Sequence, residues 1–62
     1  MEKIEFKKYD YVCVKYTNEK GIISRIDELN IFVKLEKDIE KYGWDKAEET
    51  KFYFKSLIKF YK

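Results

Sequence analysis

Apolar and polar positions alternate in three short runs between residues 6 and 35, FKKYDYVCVKYTNEKGIISRIDELNIFVKL. In residues 11–16, Val12, Val14 and Tyr16 fall on one side and Tyr11, Cys13 and Lys15 on the other, the period of two that marks a half-buried strand. The polar cluster Thr17, Asn18, Glu19, Lys20 and Gly21 then predicts a reversal, because Asn and Gly tolerate the positive φ that many hairpins need. Residues 21–26 are rich in β-branched side chains, which suit a pleated surface better than a helix. Asp27, Glu28, Leu29 and Asn30 form a second short break, and residues 31–35 alternate again with Ile31, Val33 and Leu35 facing one way. Two consecutive hairpins predict a meander.

Outside this stretch the pattern is less regular. Residues 1–8 place Ile4 and Phe6 in alternation with charge and predict a short lead-in strand, with Tyr9 and Asp10 turning into strand one. Residues 36–49, EKDIEKYGWDKAEE, are strongly charged. Within them Asp38 as a cap and Gly43 as a stop predict a single helical turn. A connection this long is either ordered by Tyr42 and Trp44 docking on the body of the domain or held for a partner. Strand four is predicted over residues 50–54, with Phe52 and Phe54 opposite Lys51, Tyr53 and Lys55. A 3₁₀ turn over Ser56, Leu57 and Ile58 then lets Leu57 plug the core, while Phe60 joins a last strand. Residues 46–60 also fit a helix, but aromatic residues at 52, 53 and 54 would run round its whole circumference, which favours the strand.

Sixty-two residues with 42% charged and 45% hydrophobic side chains and no proline describe one small folded domain over residues 1–62. Aromatic residues make up 19% of the chain, and large rings fill a small core efficiently. The opening MEKIEFKK has no long apolar run and no later segment approaches a bilayer's thickness, so a cytoplasmic protein without membrane attachment is expected. A single cysteine and the absence of histidine exclude an internal disulfide and a Cys/His metal site, and no metal or cofactor is expected. Cys13, in mid-strand, is expected to act as a small hydrophobe.

The pattern resembles the SH3-like barrels, above all the small bacterial and phage versions and the related KOW and Tudor modules. Their opening aromatic followed by Gly-Asp-x-Val-x-Val is matched by Phe6, Asp10, Val12 and Val14, with Tyr9 standing where the glycine belongs. Gly21, Ile22 and Ile23, with Ile26 beyond, match the start of their second strand, and Phe52, Phe54, Leu57, Ile58 and Phe60 match their ending. The resemblance covers the chain apart from residues 36–49. It implies an all-β fold, a five-stranded barrel with a long charged loop before strand four and a 3₁₀ turn before the last strand. It also implies a binding module of the kind common in phages and mobile elements. The substitution at Tyr9 bears on the tight first turn and on any KOW-like RNA contact. The acidic loop and paired tryptophan of the proline-binding SH3 surface are absent.

With Val12, Val14, Ile31, Val33 and Leu35 inward, Tyr11, Phe32 and Tyr53 point outward, near Lys15, Arg25, Lys34, Lys51 and Lys55. Rings that stack beside cations that meet phosphates can bind single-stranded nucleic acid; equally, tyrosines can simply cover a small domain whose lysines keep it soluble. Charge is uneven: residues 36–49 hold six acids against three lysines, while residues 51–62 hold four lysines and no acid. The expected consequence is that the acidic loop folds against the basic C-terminal segment. Trp44, the only tryptophan, either lies over the open end of the barrel or anchors a contact. Neither Glu48 with Glu49 nor Asp27 with Glu28 makes an acid/base pair, since neighbours on a strand face opposite sides. Without histidine, no Ser or Thr has a base beyond lysine. The expectation is a non-catalytic module that recognises protein through Tyr11, Phe32, Trp44, Tyr53 and the 36–49 loop. The alternative is nucleic-acid binding through Lys15, Arg25, Lys34, Lys51, Lys55 and Lys59, and a third reading pairs an exposed edge strand with its own copy in a homodimer.

Overall fold

The alternating runs over residues 11–14 and 30–35 form strands that bury one side fully and leave the other part-exposed. The computed structural model describes residues 6–28 and 30–59. Strand β1 is Tyr11–Val14, β2 is Lys20–Asp27 and β3 is Asn30–Leu35; helix α1, Glu36–Tyr42, follows directly. Strand β4, Glu49–Tyr53, runs into a 3₁₀ turn at Phe54–Ser56 and then into β5, Leu57–Lys59. All pairings are antiparallel, and the sheet has the order β4-β3-β2-β1-β5. Its edges are β4 and β5, and among the described residues no ladder joins them. No helix among these residues is long and apolar enough to cross a membrane.

The core is one-sided. Val12, Val14, Ile23, Ile31, Val33, Leu35 and Leu57 are buried together, with Phe6, Phe52 and Phe54 packed against them. Inward-facing residues meet across the strands, as Ile23 meets Val33 and Val14 meets Leu57, which removes both sides of each pair from water. Leu57 fills the core as expected, but it opens β5 instead of lying in the 3₁₀ turn, which comes two residues earlier. The helical alternative for residues 46–60 is overturned by β4, whose ladder runs from Lys34↔Glu49 to Asn30↔Tyr53.

Several local expectations change. Strand β1 ends at Val14, so Tyr16 leaves the inward row and stands 84% exposed in the turn. That turn is closed by Asn18 N–H donating to the Val14 carbonyl at 2.9 Å and by Asn18 at φ 61°, the left-handed conformation Asn tolerates. Gly21 therefore serves packing, inside β2. A Cβ there would lie 2.6 Å from Val33 Cγ1, 2.7 Å from the Lys34 carbonyl oxygen and 3.1 Å from Leu35 Cα. Helix α1 starts at Glu36, two residues before the expected cap; Asp38 lies in its first turn and no side chain caps it. Gly43 ends the helix at φ 85°, its N–H donating to the Ile39 carbonyl. The expected lead-in strand falls partly, and the pairing of Phe60 wholly, outside the described residues.

Tyr9 occupies the position where a glycine was missed, and its φ of 75° shows what that position demands. Asp10 N–H donates to the Lys7 carbonyl at 3.0 Å, and Lys7 N–H donates to Asp10 Oδ2 at 2.8 Å. The tight turn is thus made, with a bulky residue at the place where a type II turn wants glycine. Two ladder-like bonds over-determine it: Tyr9 N–H donates to the Ile23 carbonyl at 2.8 Å, and Ile23 N–H to the Asp10 carbonyl at 3.0 Å.

Candidate functional site

Strand pairing sorts the outward side chains into rows. Arg25 pairs with Phe32 and Phe32 with Lys51, so these three stand side by side on one face across β2, β3 and β4. The Arg25 guanidinium lies 4.0 Å from the centroid of the Phe32 ring, a cation–π contact. One row along, Asp27, Asn30 and Tyr53 are neighbours. Tyr53 is 46% exposed and its ring packs 5.1 Å from that of Phe54. The row on the other side holds Tyr11, Ile22, Lys34 and Glu49.

The 36–49 segment docks on this last row. Tyr11 Oη donates to Glu36 Oε2 at 2.6 Å, and this bond raises the phenol's pKa, since the phenolate would lose the donated proton and face the carboxylate charge. Lys34 Nζ donates to the Trp44 carbonyl and lies 4.7 Å from the Trp44 ring centroid. Behind Trp44, Ala47 N–H donates to the Gly43 carbonyl at 3.0 Å, and Ala47 is buried, which pins the turn. Lys37 Nζ reaches Glu19 Oε2 at 2.6 Å and ties α1 to the start of β2. The same contact lowers the pKa of Glu19 and raises that of Lys37. Of the two aromatics expected to dock, Trp44 does so; Tyr42 stays 52% exposed.

Phe32, Trp44, Tyr53, Arg25, Lys34 and Lys51 therefore share one face, with Trp44, Phe32 and Tyr53 beside alternate positions along β3. Such positions are about 7 Å apart. Tyr11 does not belong to this stripe, being on β1 and held by Glu36. Lys15 and Lys55 lie outside it, Lys15 beyond the end of β1, where its N–H donates to the Ser56 carbonyl at 2.9 Å, and Lys55 in the 3₁₀ turn. Among the described residues no ion pair joins the acidic segment to the basic C-terminal one. Glu49 Oε1 takes Arg25 at 3.8 Å, its Oε2 accepts the Ser24 hydroxyl at 2.6 Å, and Lys59 pairs with Asp10 at 3.6 Å. Ser24 sits at the β-bulge between Ile23 and Arg25; alternation from Ile23 places Arg25 inward, and the bulge turns it outward beside Ser24, so that both reach Glu49.

Two residues of this region were not singled out as contacts in the sequence. Tyr9, 64% exposed, stands 6.0 Å from the Trp44 ring at an interplanar angle of 47°, with Lys8 Nζ 5.1 Å from its centroid. The departure from glycine at this position was the available signal. Two shallow grooves, of about 220 and 370 Å³, are lined mostly by charged residues, one between the β1–β2 turn and the start of α1, the other by Asp38, Tyr42, Lys46 and Glu48; neither lining includes a residue of the aromatic stripe. Among the described residues no three His, Cys, Asp or Glu side chains gather as a metal site. Comparison of the chain with family models, with curated proteins and with solved structures gives no match in any of the three.

Proposed function

We propose that this chain is a non-catalytic protein-recognition module of SH3-like architecture. The strand order β4-β3-β2-β1-β5, with a 3₁₀ turn between the last two strands, supports that architecture. The observation that carries the function is the stripe of Trp44, Phe32 and Tyr53 interleaved with Lys34, Arg25 and Lys51 on the face of β3 and its neighbours. Its spacing of about 7 Å matches alternate side chains of an extended peptide. Aromatic and arginine anchors are the residues most often responsible for binding energy at such surfaces. Nucleic-acid binding is less well supported, because Arg25, Lys34 and Lys59 already have internal partners in Glu49, the Trp44 carbonyl and Asp10.

The test is selection from a random peptide display library against the immobilised protein, with a Phe32→Ala/Tyr53→Ala variant of verified amide-proton dispersion as counter-target. Peptides that bind the parent and lose at least about tenfold in affinity to the variant support the reading. Failure to enrich any peptide, or enrichment of peptides indifferent to the two substitutions, overturns it.

A further inference from the structure

Strand β4 bonds to β3 from Asn30↔Tyr53 to Lys34↔Glu49, and among the described residues its other side faces no strand. Glu49, Thr50, Lys51 and Tyr53 are all exposed. An open edge of this kind presents a row of backbone donors and acceptors ready for another chain. Its charge is one-signed where it is free. The one acid on the strand, Glu49, is engaged by Ser24 and Arg25, whereas Lys51, the one lysine on the strand, has no ion-pair partner among the described residues.

We infer that β4 accepts an extended acidic segment of another protein as a sixth strand, with a carboxylate of that segment opposite Lys51. This rests on the recognition reading above and names its partner. A second copy of the chain suits the edge less well. Antiparallel self-pairing over the whole of Glu49–Tyr53 centres on Lys51 and sets its ammonium directly opposite that of the copy, an unfavourable cross-strand pair. An acidic strand turns the same position into an attractive one. Its backbone bonds give affinity, and its side chains on the outward face extend the Phe32 and Tyr53 surface sideways.

The experiment is an amide-resolved NMR titration of the isotope-labelled full chain with a blocked synthetic peptide of alternating valine and glutamate. Two controls accompany it: the same peptide with lysine in place of glutamate, and one N-methylated on alternate backbone nitrogens. The expected result is shifts centred on residues 49–53 with slowed exchange of their outward-facing amides. Affinity should fall about tenfold or more with Lys51→Glu and with the N-methylated peptide, and the lysine peptide should bind Lys51→Glu better than the parent. Lys51 is exposed, so this variant keeps its fold. Absence of shifts, or shifts indifferent to Lys51→Glu, overturns the inference. Shifts confined to Trp44 and Phe32 without amide protection in β4 also overturn it but leave the recognition module standing; failure of the display selection would remove both.

Discussion

At the scale of single residues, two positions reveal backbone demands that the side chains only partly disclose. Tyr9 at φ 75° holds a conformation that costs an L-residue about 1–2 kcal/mol, sustained by the bonds to Ile23 and by the contact with Trp44. Replacing it separates the conformation from the ring. Tyr9→Gly and Tyr9→Val both lose the ring, yet the valine variant should be less stable by about 1 kcal/mol or more in urea denaturation, because a β-branched residue is least tolerant of positive φ. Equal stabilities would show that the turn relaxes freely. At Gly21 the demand is space. The Lys34 carbonyl 2.7 Å from an added Cβ is backbone and cannot rotate aside, so Gly21→Ala should cost about 1–3 kcal/mol by overpacking, read as a lower urea midpoint at unchanged slope. The glycine was visible in the sequence and read as part of a turn; its packing role depends on β3 passing over it, and no local pattern reports that.

At the scale of elements, α1 illustrates a segment whose helical character was legible and whose docking was not. Gly43 marks its end in the sequence, but it buries no residue, so hydrophobic periodicity could not say which way it faces. Two polar contacts orient it, Tyr11 with Glu36 and Glu19 with Lys37. Their pH dependence has defined signs. The folded-state pKa of Tyr11 is raised above 10.0, so the stability from its bond is complete below that value and is lost as pH rises through the raised one. Glu36→Gln should return the Tyr11 phenol toward its ordinary titration, followed by NMR of the ring. Glu19 is lowered below 4.5 and Lys37 raised above 10.5. Their contribution is therefore present across the neutral range, falls as pH drops through the depressed Glu19 value, and falls again as pH rises through the elevated Lys37 value. In a Lys37→Ala variant the Glu19 carboxylate should titrate at higher pH than in the parent; an unchanged midpoint would mean that the contact is not held in solution.

At the scale of the whole molecule, five strands share one core, and among the described residues β4 has an open edge guarded by a single lysine. Edge lysines discourage sheet-to-sheet association. Lys51→Val removes the opposed ammonium groups and adds a strand-favouring side chain, so sedimentation equilibrium should show concentration-dependent self-association absent from the parent. A strictly monomeric variant would indicate that another feature protects the edge. The inward row of Val12, Val14, Ile31, Val33 and Leu35 was legible because burial imposes a period of two on a strand. The outward stripe was legible only as a list of residues. That Phe32 stands between Arg25 and Lys51, while Tyr11 is drawn away to Glu36, follows from strand register and from the bulge after Ile23.

By itself the sequence determined where the first four described strands lie, to within about two residues, and which side of β1 and β3 faces the core, because hydrophobic alternation acts between residues close along the chain. Only the tertiary structure decided which outward residues share a face, where the acidic segment docks and which cations are already paired. Those depend on register between strands and on contacts such as Ser24 with Glu49 and Tyr11 with Glu36, each 25 positions apart, whose partners no local pattern can name.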